Sequence, residues 1–268
     1  MSKVAFLGAG NMASAIIDGL LANKSALPTD LSCYTPGGRS AMALATRTGV
    51  THAKSLPDLL RDCDVLLVAF KPQHLAQADP ALQELTAGKL VISVLSGKKI
   101  SSLQRVFPLA RNWVRAMPNT PARIGAGITA WVAQSELTSH DRSTVESILG
   151  ALGRALELQE NDLDAVTAVS ASGAGFVFEF AGAMRSAAEA AGLDPVTAKL
   201  LVVETLLGSS RLMARTNEEP ESLRDQVTSP NGTTLAGLNR LKAGNFRQLI
   251  QDAVLAAKAR AGELSQDT

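Results

Sequence analysis

Short apolar runs separated by segments of helical periodicity fill the first half of the chain. The runs are typical of strands, whereas Met12, Ile16 and Leu20 recur every four residues, as on one face of a helix. Such alternation indicates a parallel sheet covered by helices on both faces. The strands are predicted at residues 3–7, 31–35, 65–70, 90–94 and 113–116, and the helices at 12–22, 40–48, 56–61 and 74–85.

The pattern changes after about residue 160, where alanine-rich segments of purely helical periodicity replace the alternation. Helices are predicted at 164–169, 175–191, 195–216, 222–227, 233–242 and 246–263, and no further strand is expected. The predicted fold class is therefore α/β. A doubly wound parallel sheet is expected over residues 1–160, followed by an all-helical domain over residues 161–268.

A glycine-rich turn follows the first predicted strand and opens the first predicted helix. It reads Gly8-Ala-Gly10-Asn-Met-Ala13. The glycines permit a sharp turn close to a pyrophosphate, Ala13 lets the helix pack on the strand, and the first helical N–H groups face the phosphates. The same spacing occurs in ordinary β–α turns, but its place between strand and helix favours dinucleotide binding. We expect Gly8 and Gly10 to contact the cofactor.

The second predicted strand is followed by no acidic residue, and this bears on the choice of cofactor. In NAD-binding folds of this kind an acidic residue about 20 residues past the glycines binds the ribose 2′-hydroxyl. Here no Asp or Glu occurs between residues 31 and 57, and Arg39 follows the strand. An arginine binds a 2′-phosphate well, so we expect NADPH, with NADH weaker, and Thr35 and Arg39 at the phosphate. The alternative is a solvated Arg39.

Loops at the carboxyl ends of the strands are expected to surround the nicotinamide, because ligands of open α/β sheets bind there. One strand ends in Phe70-Lys71-Pro72, and Pro72 biases Lys71 toward an extended conformation that directs it to the crevice. Ser96 follows the next strand and lies on the same rim. A solvated lysine is the alternative for Lys71.

The charge balance and apolar stretches exclude several partners. The 268 residues include 26 Lys and Arg against 25 Asp and Glu, with a net charge of +1 and no block of like charge, so we expect no nucleic-acid partner. The longest uncharged stretches, such as the 14 residues 165–178, are shorter than the ~20 residues of a membrane-spanning helix. We therefore expect no membrane partner, and the N-terminus has no signal-peptide pattern.

The cysteines and histidines point to neither a disulfide scaffold nor a metal site. Cys33 and Cys63 are the only cysteines, and we place both in predicted buried strands, which fits a reducing cytoplasm. The three histidines, at positions 52, 74 and 140, are scattered without ligand spacing. We expect a cytoplasmic protein without a bound metal.

A second constellation opens a helix in the second half of the chain. Residues 227–234 read Val-Thr-Ser-Pro-Asn-Gly-Thr-Thr. Gly232 allows close backbone approach, and the N–H groups of Thr233 and Thr234 would face an anion, most naturally a carboxylate. Hydroxyl caps are also common on helices that bind nothing, and this remains the alternative.

Three separate stretches resemble the pyrroline-5-carboxylate reductase family, whose members catalyse the last step of proline biosynthesis. They are Phe6-Leu-Gly-Ala-Gly-Asn-Met12 with the later Lys71-Pro72, then Arg115-Ala-Met-Pro-Asn-Thr-Pro-Ala122, and Val227-Thr-Ser-Pro-Asn-Gly-Thr-Thr234 with Gly237-Leu238. Their order and spacing match over nearly the full chain. The resemblance implies a Rossmann-type NADP-binding domain followed by a helical dimerisation domain.

The resemblance also implies a reaction and the residues that carry it. Hydride passes from NADPH to C5 of the cyclic imine 1-pyrroline-5-carboxylate and gives L-proline. Thr234 matches the family's hydroxyl at the ring nitrogen, its favoured proton donor, and the N–H groups of Thr233 and Thr234 match those that hold the carboxylate. Further matches are Glu160 and Gln226 in the substrate pocket and Ala9, Asn11, Met12, Thr35, Phe70, Lys71 and Ser96 in the cofactor site.

Self-association is a further implication. In relatives the alanine-rich helices interlock between subunits, so that each substrate site borrows from a partner. We expect a homodimer and leave open a higher oligomer such as a decamer, because composition does not set the subunit number.

Departures from the family pattern leave rival interpretations. Relatives usually read Ser-Gly-Ser-Gly-Pro-Ala-Tyr where this chain has Ser170-Ala-Ser-Gly-Ala-Gly-Phe176, and Asn231 replaces a usual glycine. These changes favour a paralogous NADPH-dependent reductase with another cyclic imine or carbonyl acid as substrate. A catalytically silent NADP-binding scaffold is the second rival.

Overall fold

The structure, a computed structural model, describes residues 2–266 and divides into two compact units. The first, here the sheet unit, contains the chain up to Ser172 and again from Ala257. The second, the helical unit, spans Gly173–Ala256. The division falls later than our predicted boundary, and it returns the end of the last helix to the sheet unit.

One eight-stranded sheet forms the centre of the sheet unit. Its strands are β1 (Val4–Leu7), β2 (Leu31–Tyr34), β3 (Thr51–His52), β4 (Val65–Val68), β5 (Leu90–Ser93), β6 (Asn112–Met117), β7 (Gly127–Ala133) and β8 (Gly153–Glu157). They lie in the order β3-β2-β1-β4-β5-β6-β7-β8, and every neighbouring pair is parallel except β6 and β7. The chain order therefore reverses between β1 and β4, where such sheets bind ligands.

Helices cover this sheet on both faces. They are α1 (Asn11–Ala22), α2 (Arg39–Thr48), α3 (Leu56–Leu60), α4 (Leu82–Leu85), α5 (Ile100–Val106), α6 (Ser139–Gly150) and α7 (Leu163–Val166). One core layer packs Phe6 and the α1 residues Ile16 and Leu20, and the opposite layer packs Leu66 with Leu103 of α5. Strands β4 and β5 are buried on both faces, which explains their wholly apolar sequences.

The helical unit contains α8 (Gly173–Ala190), α9 (Pro195–Thr216), α10 (Pro220–Gln226), α11 (Thr233–Ala243) and the first half of α12 (Phe246–Gln266). The Asp194 carboxylate caps α9 by accepting the N–H groups of Val196 and Thr197. The hydrogen bond from the Thr197 side chain, with those from the N–H groups, lowers the pKa of the Asp194 carboxyl. Many large apolar side chains of this unit face outward. They include Phe178, Val196, Leu200, Leu249 and Leu255.

One helical stretch of the described chain, Glu160–Ala190, is long and apolar enough to cross a membrane by length and composition alone. Its mean hydropathy is 1.3, and 6% of the apolar window is buried. One such stretch is weak grounds for a membrane span, because a helix that packs between subunits passes the same test.

Several predicted elements differ in the structure. The helix predicted at 74–85 is instead a 3₁₀ segment, Pro72–Gln77, and the short α4, because Pro80 interrupts the helix between them. Strands β3, β7 and β8 were not predicted. Our placement of Cys63 in a strand is wrong, since it lies before β4, although its thiol is buried as expected and burial raises its pKa.

Candidate functional site

The glycine turn joins β1 to α1 in a conformation that only glycine adopts easily. Gly8 has φ +119°, and its N–H donates to the Tyr34 carbonyl over 2.9 Å. A Cβ at Gly8 would lie 2.5 Å from the Ala69 carbonyl carbon, so the turn passes directly against the end of β4. The sequence-based reason for glycine at this position was close approach to a ligand, and here the close approach is to the protein's own backbone.

The N-terminus of α1 is open to a ligand. Gly10 is the N-cap and has no side chain, so the first N–H groups of α1 receive no side-chain cap. A Cβ at Gly10 would meet no atom within 4 Å. Asn11 and Met12 are the first residues of the helix, with Ala9 half-buried before it. This geometry fits a pyrophosphate at the helix N-terminus.

A second turn rich in small residues separates β2 from α2. Gly38 has φ +66° and is the N-cap of α2, and Arg39 is the first residue of that helix. The Thr35 and Ser40 hydroxyl oxygens lie 3.3 Å apart, so Ser40 joins Thr35 at this turn. The exposed Arg39 guanidinium, the two hydroxyls and the free end of α2 together fit a 2′-phosphate.

A cavity of about 450 Å³ lies at the carboxyl ends of β1, β2 and β4. Its lining includes Gly8 and Thr35, the side chains of Tyr34 and Phe70, and His74 from the 3₁₀ segment. The volume and the mainly apolar walls suit one ring system of a dinucleotide. Tyr34 and His74 were not singled out from the sequence, because neither belongs to a motif.

The rim residues lie where the strand ends predict them. Lys71 is extended, with φ −72° and ψ 132°, as expected of a residue before Pro72, and its side chain is exposed. Ser96 is exposed in the loop after β5, beside Gly97, which has φ +72°. Phe70, Lys71 and Ser96 thus belong to loops that follow two adjacent strands, β4 and β5.

The second constellation forms a tight turn that leads into α11. The Gly232 N–H donates to the Ser229 carbonyl over 3.0 Å, with Pro230 and Asn231 between them. Asn231 has φ +59°, a conformation that asparagine tolerates better than most residues, so its replacement of glycine preserves the turn. A Cβ at Gly232 would displace the Ser229 hydroxyl and would lie 3.1 Å from the Ser229 carbonyl oxygen, so the turn is tight at this residue.

The start of α11 presents groups suited to a carboxylate. Gly232 is the N-cap of α11 and contributes no capping side chain. Thr233 and Thr234 are the first two residues of the helix, and N–H groups in the first turn of a helix have no partner within it. Thr233 is exposed and Thr234 half-buried. Gln226 ends α10, and its amide donates to the Glu218 carboxylate over 2.6 Å.

Glu160 differs from the other candidate substrate residues in its unit and in its partners. It belongs to the sheet unit, whereas Gln226, Gly232, Thr233 and Thr234 belong to the helical unit. Its Oε1 accepts hydrogen bonds from the Ile100 N–H at 2.8 Å and from the Arg115 guanidinium at 3.4 Å. The sequence motif around Arg115 gave no indication of this pair.

No group of three or more His, Cys, Asp or Glu side chains within residues 2–266 is placed to hold a metal ion. The candidate groups in each unit are instead helix N-termini and hydroxyls, with single cations in the sheet unit. These groups suit phosphates and carboxylates.

Two family models match the chain. One, described as pyrroline-5-carboxylate reductase dimerisation, matches residues 160–264. The other, described as NADP oxidoreductase coenzyme F420-dependent, matches residues 3–97. The first contains the α11 turn, and the second contains the glycine turn, Arg39 and the rim residues.

Curated proteins and solved structures are similar over nearly the whole chain. The pyrroline-5-carboxylate reductase of Synechocystis is 37% identical over 98% of this chain and 98% of that protein. A solved pyrroline-5-carboxylate reductase from Coxiella burnetii has a TM-score of 0.92 and 32% identity over 99% of both chains. The Plasmodium falciparum pyrroline carboxylate reductase, solved with NADP bound, has a TM-score of 0.87 and 27% identity over 99% of this chain and 98% of that one.

Proposed function

The chain belongs to the pyrroline-5-carboxylate reductase family, and we infer that it reduces 1-pyrroline-5-carboxylate to L-proline with NADPH as the hydride donor. The observation that carries this inference is the match along 98% of the chain to a curated reductase. The two sites support it independently, because one suits a dinucleotide phosphate and the other a small carboxylate.

In the proposed cofactor site each group meets one part of NADPH. The turn from Gly8 to Met12 and the α1 N-terminus hold the pyrophosphate, while Thr35 and Arg39 hold the 2′-phosphate. Phe70, Lys71, Pro72 and Ser96 form the rim at the nicotinamide. Bound NADPH supplies the hydride for the imine carbon.

In the proposed substrate site the protein orients the imine and assists its protonation. The N–H groups of Thr233 and Thr234 hold the carboxylate, and Gly232 and Gln226 shape the turn beside it. The Thr234 hydroxyl donates to the ring nitrogen, which must gain a proton as C5 gains the hydride. An imine accepts hydride more readily as its nitrogen is protonated, so positioning and this one hydrogen bond supply the catalysis.

The protein self-associates through the matched dimerisation region. We propose a homodimer in which the exposed apolar side chains of the helical unit are covered by the partner, with a higher oligomer such as a decamer left open. We place the enzyme, as a soluble protein, in the cytoplasm, since Cys33 and Cys63 are free, buried thiols. Light scattering that finds a monomer would contradict the dimer.

An NADPH oxidation assay tests the function. The substrates are pyrroline-5-carboxylate and its six-membered ring analogue, each at saturating NADPH. Faster turnover of the five-membered imine supports the proposal. Preference for the six-membered ring would indicate a paralogous reductase, and absence of turnover with both would indicate a silent scaffold.

The Arg39→Ala variant tests the basis of the cofactor preference. Loss of a charge-assisted contact to the 2′-phosphate is expected to raise the KM for NADPH by about tenfold or more. The KM for NADH should not change, because NADH lacks that phosphate. Initial rates with both cofactors measure the ratio, and Arg61→Ala, which removes an exposed guanidinium at the end of α3, is the control. An unchanged KM for NADPH would remove Arg39 from the site.

A further inference from the structure

A buried charge lies beneath the rim of the proposed cofactor site. The Arg115 side chain on β6 is 2% exposed. Its Nη1 lies 3.4 Å from the Glu160 carboxylate and its Nη2 lies 3.6 Å from the Asp164 carboxylate. A charge so far from water persists only where opposite charges meet it. All three residues belong to the sheet unit.

Glu160 connects this charge to the start of α5. Lys99 is the N-cap of α5, but its side chain caps no N–H group. The Glu160 carboxylate takes that role by accepting the Ile100 N–H over 2.8 Å. Because the same oxygen also accepts a hydrogen bond from Arg115, the guanidinium orients the Glu160 carboxylate toward the start of α5.

The segment held in this way ends the loop that carries Ser96. Residues 94–99 connect β5 to α5, so a fixed Ile100 sets one end of the loop and the buried Ser93 sets the other. Gly97, in the middle, packs against Leu264 of α12, where an added Cβ would lie 3.2 Å from the Leu264 Cβ.

The last turn of α12 joins the same cluster. The Ser265 hydroxyl donates to the Asp164 carboxylate over 3.1 Å, and Ser265 is 2% exposed. Arg115 therefore contacts one carboxylate that holds α5 and another that holds α12. Both helices contact the loop of Ser96.

We propose that Arg115, Glu160 and Asp164 are positioning residues that hold the Ser96 loop at the nicotinamide end of the cofactor in the geometry for hydride transfer. This assignment rests on the proposed function. It assigns Glu160 a positioning role, distinct from the substrate contact that the family resemblance implies, because its Oε1 accepts hydrogen bonds from the Ile100 N–H and the Arg115 guanidinium.

The Glu160→Ala and Glu160→Gln variants test the proposal. Alanine removes the acceptor for the Ile100 N–H, whereas glutamine keeps a carbonyl oxygen in its place. Small displacements of reacting groups have large kinetic costs. We therefore expect Glu160→Ala to slow hydride transfer by about tenfold and to raise the NADPH dissociation constant. Glu160→Gln, which keeps an acceptor for the Ile100 N–H but leaves Arg115 with a single carboxylate, should lose less than alanine does. Stopped-flow single turnovers at saturating NADPH and substrate, and NADPH fluorescence titration, measure both.

A matched variant separates positioning from general stability. Arg111 precedes β6 and pairs with Asp141 at 2.6 Å in the same unit, where the guanidinium lowers the pKa of the Asp141 carboxyl. Arg111→Lys should lower the melting temperature without slowing hydride transfer. Arg115→Lys keeps the positive charge but loses the planar guanidinium that reaches two carboxylates. This variant should slow hydride transfer even at temperatures where it is fully folded.

Two results would overturn the proposal. One is a Glu160→Ala enzyme whose hydride-transfer rate and NADPH affinity equal those of wild type. The other is a higher KM for pyrroline-5-carboxylate with both of those quantities unchanged, which would show that Glu160 contacts substrate. A wild-type enzyme that is inactive with pyrroline-5-carboxylate would instead overturn the proposed function. The NADPH affinity of Glu160→Ala, compared with that of wild type, would still test whether Glu160 positions the Ser96 loop.

Discussion

Thr234→Ala is expected to lower kcat for pyrroline-5-carboxylate by about 10²–10³-fold and to leave the NADPH dissociation constant unchanged. The hydroxyl is the proposed donor to the ring nitrogen, and no other residue is proposed for that proton. The backbone N–H of residue 234 remains, so the carboxylate stays bound and the KM for substrate should change little.

The fold of the variant should be intact, because alanine is the best helix former and position 234 lies in the first turn of α11. Steady-state rates with both substrates varied and fluorescence titration with NADPH give the two constants. Thr234→Ser keeps a hydroxyl and should recover most of the rate. Thr216→Ala, at the exposed end of α9, is the control for the same substitution elsewhere in the helical unit. Undiminished turnover in Thr234→Ala would remove this residue from the mechanism.

Gly8→Ala is expected to have the largest effect on the cofactor site. The added Cβ would lie 2.5 Å from the Ala69 carbonyl carbon, and φ of +119° is strained for any residue with a side chain. Neither β1 nor β4 can shift easily, because both are buried in the centre of the sheet. We expect the NADPH dissociation constant to rise by about 100-fold or more and the melting temperature to fall.

Gly88→Ala is the matched control for this second variant. Gly88 also has a positive φ, +68°, but a Cβ there would meet no atom within 4 Å. Alanine at position 88 therefore has a positive φ, with less strain than at position 8 and without the collision. Calorimetry and NADPH titration of the two variants separate the effect of the positive φ from that of the collision. A Gly8→Ala enzyme with wild-type affinity for NADPH would show that the turn accommodates a Cβ.

Periodicity predicted strands β1, β2, β4, β5 and β6, and it missed β3, β7 and β8. Strands β1, β4 and β5 are short, mainly apolar runs because helices bury both of their faces. Strand β8 is an edge strand with mostly exposed side chains, including Arg154 and Glu157, and it lacks the apolar signal. Strand β7 runs antiparallel to β6 and breaks the βα alternation on which the prediction depended.

The candidate site was predictable where a local rule governs it. The positive φ of Gly8, the extended Lys71 before Pro72 and the turn at Asn231 all follow from the conformations that each residue type allows. Three motifs sufficed to name the family, and the similarity along the chain confirms it. The roles of the single residues remain predictions.

Contacts between residues that are far apart in the chain could not be predicted from the sequence. Arg115 and Glu160 are 45 residues apart, and only the folded sheet unit brings the guanidinium to the carboxylate. The cavity wall formed by Tyr34 and His74 likewise depends on how the 3₁₀ segment packs beside the end of β2. Neither arrangement has a periodic or spacing signature along the chain.

The end of α12 belongs to the sheet unit, so this unit is completed only after the ribosome has synthesised the helical unit. Residues 257–266 emerge after the whole helical unit, yet Leu264 packs on Gly97 and Ser265 bonds to Asp164 within the sheet unit. Domains generally fold as they emerge, but this one lacks its final helix until then. The nascent sheet therefore exposes the side of the Ser96 loop throughout synthesis of the helical unit, and it becomes complete only when α12 arrives.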